Sequence, residues 1–418
     1  MVFGPCVSGH GEVFECRPGA AAGPRAGTYR RRAPERTLLH EVVRGHLATF
    51  LAEARARSAH GFGVPWFVEQ ELTRYVDCGV LAHGFARVRC ARCADEVLVA
   101  FSCKGRGVCP ACGARRMHET AAHLVARVLP RVPVRQWVLA FPAALRVHLA
   151  YDARLLGKAL TIFVRAIATF WRARARALGL PVSRAGSSGA VTFVQRFGTA
   201  LQLTPHFHTL VPDGVFVRDT RAPDACPRFV RLPAPTDADV TSVLTLVRRR
   251  ILALLVRAGR LAAPGEEADD PDAGDVLPGL LADAVCAPRR RSRGTPRLVL
   301  GPEPLTAWED GCSLHAARLV EPNDREGLAQ LCRYGLRPAL ALDRLARADD
   351  GSLRYRLKRR FADETDEIRL TPIEFLRRLA ALVPPPRVHQ VRYHGAFAPN
   401  ARGRTAPPTS GRPRARLW

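Results

Sequence analysis

The 418-residue sequence is poor in acidic side chains, long apolar runs and tyrosine. Asp and Glu number 38 against 64 Lys and Arg, which gives a formal net charge of +26. No uninterrupted apolar run reaches the roughly 18 residues that a membrane-spanning helix needs. The N-terminal stretch MVFGPCVSGHGEVFECRPGA carries no pattern typical of a signal peptide. We therefore expect a cytoplasmic protein without a membrane segment.

The excess of positive charge favours nucleic acid as the partner. An anionic membrane surface would satisfy the charge equally well. The dominance of Arg over Lys, together with abundant Ala, is also typical of a biased genome. The apolar fraction of 47 % excludes a disordered chain, and the length predicts two or three domains. A nucleoid-associated DNA-binding protein is the interpretation that we carry forward.

Composition and periodicity divide the chain into four segments. We predict a flexible basic arm at 1–36, a helical and cysteine-rich DNA-binding domain at 37–125, a mixed catalytic domain at 126–399 and a basic tail at 400–418. The catalytic domain contains a loop insertion near 262–294. The catalytic segment mixes helical periodicity with strand alternation, including two adjacent strands in 189–217 with a turn near Gly198. The pattern predicts an α+β fold.

Six of the twelve cysteines fall between positions 78 and 112. Without a secretion signal, such a cluster indicates metal binding rather than disulfides. Cys90-x-x-Cys93 and Cys109-x-x-Cys112 are fifteen residues apart, a spacing typical of a two-knuckle zinc ribbon. The strand-like EVLVAFSC between them suits the ribbon hairpin. We predict that these four thiolates bind structural Zn²⁺; buried free cysteines are the alternative.

Two further cysteines of the cluster, Cys78 and Cys103, have no paired spacing. They complete a second site with His83 or His118, or they simply pack as buried side chains. Basic residues crowd the same region and suit phosphate contacts: Arg87, Arg89, Arg92, Lys104, Arg106, Arg115 and Arg116. A zinc module edged with arginine is thus predicted to bind DNA.

Two histidines alternate in the stretch PHFHTLVPDGVF at 205–216. In a strand, His206 and His208 share one face, and Phe207 points to the other. Imidazoles at this spacing can hold one cation, or they can be two ordinary polar residues. The basicity of the chain, the turn that follows and a tyrosine on a downstream helix favour the cation.

That tyrosine is Tyr334, one of only six in the chain, and Arg333 and Arg337 flank it on a helix predicted within 322–338. A phenolate can attack a phosphodiester and hold the strand as a phosphotyrosine, while a divalent cation neutralises the non-bridging oxygens. Tyr151 and Tyr393 are alternatives without the short-helix context. An ordinary residue of an amphipathic helix is the competing interpretation of Tyr334.

The order of these motifs resembles the transposases of the insertion sequence 91 family. The blocks CARCADEVLVAFSCKGRGVCPACGARRM, LCRYGLRPAL and VPPPRVHQVRYHGAFAP carry the resemblance, which runs from about residue 37 to 404. It implies a zinc-binding N-terminal domain, an antiparallel-sheet HUH nuclease core with flanking helices, and single-stranded DNA as the substrate of rolling-circle transposition. His206 and His208 match the paired ligands of Mg²⁺ or Mn²⁺, and Tyr334 matches the nucleophile.

One position departs from the founding members, which carry two tyrosines four residues apart. Gln330 stands four residues before Tyr334, so the chain resembles the single-tyrosine branch. Completing a cycle then calls for a second subunit, hence a homo-oligomer, or for the released 3′-hydroxyl. Gln330 shares a helical face with Tyr334 and is one candidate third metal ligand; Gln195 and Asp213 are the others.

Three functions compete at this point. The first is a metal-dependent transposase that cleaves and rejoins single-stranded DNA through a 5′-phosphotyrosine. The second is a zinc-ribbon DNA-binding protein without catalysis. The third is a metal-dependent hydrolase in which water attacks and no covalent adduct forms. Arg333 and Arg337 join Lys104, Arg106, Arg115 and Arg116 as the candidate DNA contacts.

Overall fold

The structure is a computed structural model that describes most of residues 31–401. Within that range it leaves out 59, 92–93, 183–186, 219–226, 262–298, 301–302, 359 and 362–363, as well as the side chains of 299–300. Most of the predicted basic arm, the predicted loop insertion and nearly all of the predicted basic tail therefore lie outside the described residues.

The N-terminal region is helical around a short hairpin. Its elements are α1 (Leu38–Ala56), α2 (Trp66–Asp77), β1 (Phe85–Arg89), β2 (Glu96–Ala100) and α3 (Pro110–His123). Thr37 caps α1 by accepting a hydrogen bond from the His40 amide. Helix α3 continues through a π-helical turn at Leu124–Val128. The hairpin is antiparallel and largely exposed, so the order of this region rests on its helices and on the loop after β2.

A mixed set of strands and helices follows. The strands are β3 (Val134–Ala140), β4 (Gly189–Phe197), β5 (Leu203–Pro212), β6 (Gly214–Val217), β7 (Arg228–Arg231), β8 (Val299–Leu300), β9 (Thr306–Glu309), β10 (Cys312–His315), β11 (Leu319–Val320), β12 (Leu345–Arg347), β13 (Leu353–Arg356), β14 (Glu367–Leu370) and β15 (Val391–Gly395). The helices are α4 (Ala143–Tyr151), α5 (Ala153–Ala177), α6 (Asp237–Arg257), α7 (Arg325–Leu336) and α8 (Pro372–Leu382).

Eight of these strands form the central sheet, in the order β15-β4-β5-β3-β10-β9-β8, with β11 also paired to β3. Every strand pair that the structure describes is antiparallel. The register opposes His206 to Gln195 of β4 and to Ala140 of β3. Strand β5 therefore lies in the middle of the sheet, hydrogen-bonded on both sides.

Helices cover both faces of this sheet. One face packs Trp137, Phe207 and their neighbours against the apolar sides of α5 and α6. The capping box of α6 joins Thr236 and Asp239, which fixes where this helix begins. The other face packs Phe193 and Leu210 against α7 and the end of α3. Because side chains alternate along β5, the histidines lie on the α7 face and Phe207 lies on the opposite face.

A third core joins the two ends of the chain. Leu39 and Leu72 of the N-terminal helices pack in one cluster with Leu353 and Tyr355 of the β12–β14 sheet and with Phe375 of α8. The Arg106 guanidinium reinforces this contact by donating to the carbonyls of Val388 at 2.8 Å and of Pro385 at 2.9 Å. The cysteine-rich region is thus packed against the C-terminal part of the chain.

The predicted α+β class is confirmed: the structure mixes helices with an antiparallel sheet and places a cysteine cluster in its N-terminal region. The two strands predicted around Gly198 are β4 and β5. Among the described residues, no helix is both long enough and apolar enough to cross a bilayer.

Candidate metal centres and active site

Four cysteines converge where α2, the β hairpin and α3 meet. Cys78 ends α2, Cys103 follows β2, Cys109 caps α3 and Cys112 lies in its first turn. The Cys78 sulfur lies 3.7 Å from the sulfurs of both Cys109 and Cys112, and the Cys103 sulfur lies 3.6 Å from that of Cys112. All four sulfurs fall within 4.8 Å of one another.

This geometry fits zinc. A tetrahedral ion with Zn–S bonds of about 2.3 Å separates its sulfurs by about 3.8 Å. Backbone amides of Cys103, Gly105 and Cys112 point at the sulfurs of Cys78, Cys103 and Cys109. The pKa of the Cys112 thiol is lowered, because the thiols of Cys103, Cys109 and Cys78 hydrogen-bond to its sulfur. The four thiols are thus arranged to hold one structural Zn²⁺.

This cluster shares Cys109 and Cys112 with the predicted ligand set and adds the two further cysteines that were considered, Cys78 and Cys103. Cys109 and Cys112 are joined by Cys78 and Cys103, not by Cys90, and Cys93 lies outside the described residues. Cys90 follows β1 at the tip of the hairpin, whereas Cys103 follows β2 at its base. Five residue pairs separate tip from base, which is about 17 Å of strand. Cys90 is therefore too far away to share an ion with Cys109.

The histidines that were considered as partners of Cys78 and Cys103 are not part of this cluster. His83 lies 3.3 Å from the carboxylate of Asp77, and both side chains are about half exposed. His118 lies on α3, two turns beyond Cys112, and is also outside the set of four. Four cysteines satisfy a tetrahedral ion without either imidazole.

Some basic side chains near the cluster bind other groups of the protein, and others are exposed to solvent. Arg106 is half-buried and binds backbone carbonyls, so its guanidinium serves the fold. Arg116 donates to the Lys104 carbonyl, and Arg115 pairs with Glu119. The Lys104 side chain is exposed, which leaves its ammonium group available to a phosphate.

The histidine pair occupies the face of β5 that α7 covers. The two imidazoles of His206 and His208 lie edge to face, with ring centroids 4.9 Å apart. His206 Nδ1 donates to the Thr204 carbonyl at 2.7 Å, which leaves Nε2 as the free lone pair. His208 is buried, and its Nε2 has no hydrogen-bond partner in the described residues. Both rings can therefore offer Nε2 to one cation.

The protonation states agree with that role. Burial lowers the pKa of His206 to about 4, and nearby Arg337 and Arg146 act in the same direction. Burial, then the neighbouring His206, lowers the pKa of His208 well below its ordinary value. Both imidazoles are neutral at pH 7, the form in which histidine binds metals.

Gln195 of β4 faces the same site and has an unpartnered oxygen. Its amide nitrogen donates to the carbonyls of Tyr334 at 2.7 Å and Gly335 at 3.0 Å. Carbonyl oxygens only accept, so these bonds fix which way the amide points. Its Oε1 is buried without a hydrogen-bond partner in the part of the chain described. An oxygen beside two imidazoles suits a hard divalent cation.

The other two candidate third ligands occupy different positions. Asp213 lies beyond the far end of β5, and both of its oxygens accept from the Arg135 guanidinium, at 2.6 and 3.0 Å. Five residues of strand separate it from His208, about 17 Å. Asp213 is therefore engaged by Arg135 at the opposite end of the strand from the histidines. Gln330 is exposed on α7, one turn before Tyr334.

Tyr334 lies over the histidines near the end of α7. Its ring centroid is 5.6 Å from that of His208, and 40 % of the residue is exposed. A close contact holds α7 in place: a Cβ on Gly335 would clash with the Phe193 ring. The helix thus approaches the sheet at a glycine, and the phenol is brought to the face of the sheet that carries the histidines.

Two cations flank the Tyr334 ring. The Arg337 guanidinium carbon lies 4.4 Å from the ring centroid, and the Lys358 ammonium lies 5.2 Å from it. Arg337 also stacks on Phe197 at 5.3 Å. Arg333, in contrast, pairs with Glu326 and is not held at the ring. A phosphodiester beside Tyr334 would meet positive charge from Arg337 and Lys358.

Sequence reasoning missed two residues of this site. Lys358 lies just after β13 in a basic run, and nothing in that run marks one lysine as facing Tyr334. The side-chain nitrogen of Gln136 on β3 lies 3.1 Å from His208 Nδ1. Turning this amide over would bring its oxygen to the ring, where it would accept Nδ1–H and leave the Nε2 lone pair to a metal. A buried glutamine in the apolar strand VRQWVLA was the available signal.

The remaining tyrosines of the described residues are less suited to attack a strand. Tyr75 and Tyr355 are buried. Tyr151 donates its hydroxyl to the Ala381 carbonyl at 2.8 Å. Burial raises the pKa of Tyr151, which disfavours its phenolate. Tyr393 lies on β15, at the edge of the sheet, and Tyr334 is the tyrosine that the structure brings to the histidines.

Comparison with known protein families follows the same division of the chain. A family model described as "Putative transposase" matches residues 189–404, slightly more than half of the chain. A second model, the transposase zinc-binding domain of the insertion sequence 91 type, matches residues 47–141. These matches define a transposase that carries its own zinc-binding domain. The chain belongs to the insertion sequence 91 family of transposases. No curated protein and no solved structure matches it.

The two matches enclose the two candidate centres. The zinc-binding match includes all four cysteines of the cluster, and the transposase match includes His206, His208 and Tyr334. A transposase cleaves and joins DNA. Because DNA is a polyanion, this activity accounts for the net charge of +26.

Proposed function

We propose that this transposase cleaves and rejoins single-stranded DNA through a 5′-phosphotyrosine formed on Tyr334, as in rolling-circle transposition of an insertion sequence. The observation that carries the proposal is the position of the phenol ring 5.6 Å from His208, on the face of β5 that also presents His206. An exposed nucleophile beside two neutral imidazoles suits metal-assisted phosphoryl transfer. In the cell, the bacterial nucleoid would supply the substrate.

The proposed step conserves one phosphodiester bond. The Tyr334 oxygen bonds to the scissile phosphorus and loses its proton to water, while the bond from phosphorus to the 3′ oxygen breaks. The departing 3′ oxygen takes up a proton, and the 5′ side of the strand stays on the tyrosine. Attack by a 3′-hydroxyl on the phosphotyrosine reverses the exchange. Because the phosphotyrosine bond replaces the broken phosphodiester bond, rejoining needs no nucleoside triphosphate.

His206, His208 and Gln195 are the residues that would hold Mg²⁺ or Mn²⁺. When bound, such a cation draws charge from the non-bridging oxygens of the scissile phosphate. A site with two imidazole ligands favours Mn²⁺ over Mg²⁺, because Mg²⁺ is the harder ion and prefers oxygen ligands. We favour Gln195 over Gln330 as the third ligand because its oxygen is buried and unpartnered in the described residues.

Arg337 and Lys358 have a separate role in this proposal. Their cations lie against the Tyr334 ring and would face the charge of the incoming phosphodiester. Gln195 positions the nucleophile as well, since it donates to the backbone carbonyl of Tyr334 itself. A metal ligand and the helix that carries the phenol are thus linked through one side chain.

A denaturing gel tests the proposal. Wild-type protein is incubated with Mn²⁺ and single-stranded DNA labelled on the 3′ side of the cleavage site. We expect a labelled species that survives SDS and is lost on protease digestion. Tyr334→Phe removes one oxygen and keeps the ring, so it should bind DNA and form no adduct. An adduct on the Phe variant would overturn the assignment of Tyr334, and Tyr393 and Tyr151 would be tested next.

The same gel separates the competing functions. Cleaved DNA without an adduct would favour hydrolysis by water, and intact DNA under all conditions would favour a non-catalytic DNA-binding protein. With one tyrosine on α7, we propose that a second subunit or the released 3′-hydroxyl resolves the adduct. Mixing Tyr334→Phe with wild-type protein then distinguishes the two routes. If a second subunit resolves the adduct, the inactive variant should inhibit rejoining by the wild type; if resolution occurs within one subunit, it should not.

A further inference from the structure

A cleft of about 200 Å³ opens beside the cysteine cluster, and Tyr334 does not line it. Helix α2, the loop after β2 and the proline-rich segment after α8 form its walls. The side chains that matter for its chemistry are Trp66, Phe67, Arg74, Lys104, Pro384 and Pro386. Neither the transposase chemistry nor the zinc site accounts for this combination.

The walls of the cleft are held firmly. One oxygen of Glu71 accepts hydrogen bonds from the amides of Arg106, Gly107 and Val108, the last at 3.0 Å. A Cβ on Gly107 would meet the Val383 Cα at 2.9 Å, so the loop and the C-terminal segment are in close contact. With the Arg106 bonds across the same junction, these contacts make the cleft a preformed feature.

Its surface combines an exposed aromatic ring with unpaired positive charge. Trp66 is 65 % exposed although it begins a helix that packs into a core. Arg74 and Lys104 are exposed as well, and no carboxylate in the described part of the chain forms an ion pair with either. The one acidic side chain of the wall, Glu71, is engaged by backbone amides.

We propose that this cleft binds one nucleotide of single-stranded DNA, with the base stacked on Trp66 and the flanking phosphates on Arg74 and Lys104. The volume lies below the roughly 300 Å³ at which pockets for whole small molecules begin. It therefore suits one unit of a longer ligand. Stacking on an aromatic ring beside basic groups is the usual chemistry of single-strand recognition.

The inference rests on single-stranded DNA being the substrate, but not on the tyrosine chemistry. Because Arg106 ties the loop to Pro385 and Val388, a nucleotide in the cleft would be held at a fixed position relative to the C-terminal region. The cleft would thus anchor the strand at a second point, remote from the phosphate that Tyr334 attacks.

The test compares two oligomers of equal length and charge on the full-length, zinc-loaded protein: oligothymidylate, and a backbone of abasic nucleotides. Trp66→Ala should weaken oligothymidylate binding by about 5- to 150-fold, the range for one base–aromatic stack. It should change abasic binding by less than about twofold. Trp66→Phe should retain most of the affinity. Phe62→Ala, which removes another exposed aromatic of the same region, should bind as the wild type does.

Arg74→Gln should weaken both oligomers equally, since phosphates are common to both. Thymidine monophosphate should compete at least 100-fold more weakly than the oligomer; equal competition would mean a mononucleotide site and would overturn the proposal. Unchanged oligothymidylate binding by Trp66→Ala, or an equal loss on both oligomers, would also overturn it. The adduct assay on wild type is independent, so failure of the tyrosine chemistry and failure of the cleft are distinguishable.

Discussion

The cysteine cluster and the histidine pair of this transposase differ in what holds their side chains in place. The cysteines of the cluster come from a helix end, a loop and the start of α3, next to a hairpin that is largely exposed. His206 and His208 project from one strand that is hydrogen-bonded on both sides within an eight-stranded sheet. An ion at the cluster would link three separate segments of the chain, whereas one strand already holds both histidines.

This difference predicts opposite responses to the loss of a ligand. At the cluster, an ion bound by four thiolates from α2, the loop after β2 and α3 would hold these three segments together, so its binding energy adds to the folding energy. At the histidine pair, the sheet is stabilised by Phe207 and its neighbours on the opposite face, which no metal touches. Substitutions at the two centres should therefore separate folding from chemistry.

The largest expected effect is that of Cys112→Ser. Losing a thiolate from a four-sulfur site should release zinc and open the segment from about residue 78 to 116 to proteases. Structural zinc contributes on the order of 10 kcal/mol in small domains, comparable with the whole stability of a protein. Metal analysis and limited proteolysis measure the result.

Cys90→Ser is the matched control for that change. Cys90 lies near the tip of the hairpin and outside the cluster, so the variant should keep the zinc bound by the other four cysteines. Loss of zinc from Cys90→Ser equal to that from Cys112→Ser would contradict the cluster described here and would restore the ligand set predicted from spacing.

His206→Ala is the counterpart at the histidine pair. We expect cleavage to fall below detection for lack of a metal ligand, with excess Mn²⁺ restoring a small fraction. The thermal midpoint should shift by only a few degrees, as for a loss of about 1 kcal/mol. Calorimetry and the adduct gel measure the two results on one sample. A protein that unfolds on this substitution would remove the contrast between the two centres.

Lys358→Gln tests the charge beside the nucleophile. The ammonium lies 5.2 Å from the ring centroid of Tyr334, so its loss should slow adduct formation by about 10- to 100-fold. Zinc content should not change. Lys158→Gln, an exposed lysine on α5, is the control for a general loss of positive charge and should cleave at the wild-type rate. Equal rates for the two variants would exclude a role for Lys358 in the chemistry.

A smaller effect is expected from pH at His394 of β15. Burial lowers the pKa of His394 to about 4, whereas the unfolded chain has the ordinary value of about 6.5. The unfolded state therefore takes up the proton first as pH falls. The contribution of His394 to stability is complete above pH 6.5 and is lost between pH 6.5 and 4, by up to about 3 kcal/mol.

Urea unfolding of wild type and His394→Gln at pH 7 and pH 5 isolates that contribution. The variant should lose less stability than the wild type over this interval. Because zinc release at low pH affects both proteins equally, the difference between them reports on His394. Parallel losses in the two proteins would show that the histidine is protonated in the folded state.

Residue patterns predicted much of the candidate site, and the limits have a physical origin. Alternation placed His206 and His208 on one face, and flanking arginines singled out Tyr334, because both signals lie within one element. Spacing favoured Cys90 over Cys103 as the partner of Cys109 and Cys112, because it does not show that Cys90 and Cys103 lie at opposite ends of a hairpin. The roles of Gln195, Gln136 and Lys358 depend on strand register and on packing between distant segments, neither of which a local pattern contains.

The core shared by the two ends of the chain has a consequence for how the protein is made. Leu39 and Leu72 emerge from the ribosome early, but their partner Phe375 follows roughly 300 residues later. At synthesis rates of about 5–20 residues per second, that interval lasts about 15–60 s. During this time the first helices have no completed core, and the cysteine loop lacks the carbonyls that Arg106 will bind. A nascent chain therefore completes the core around Leu39 and Leu72 only after Phe375 has been translated.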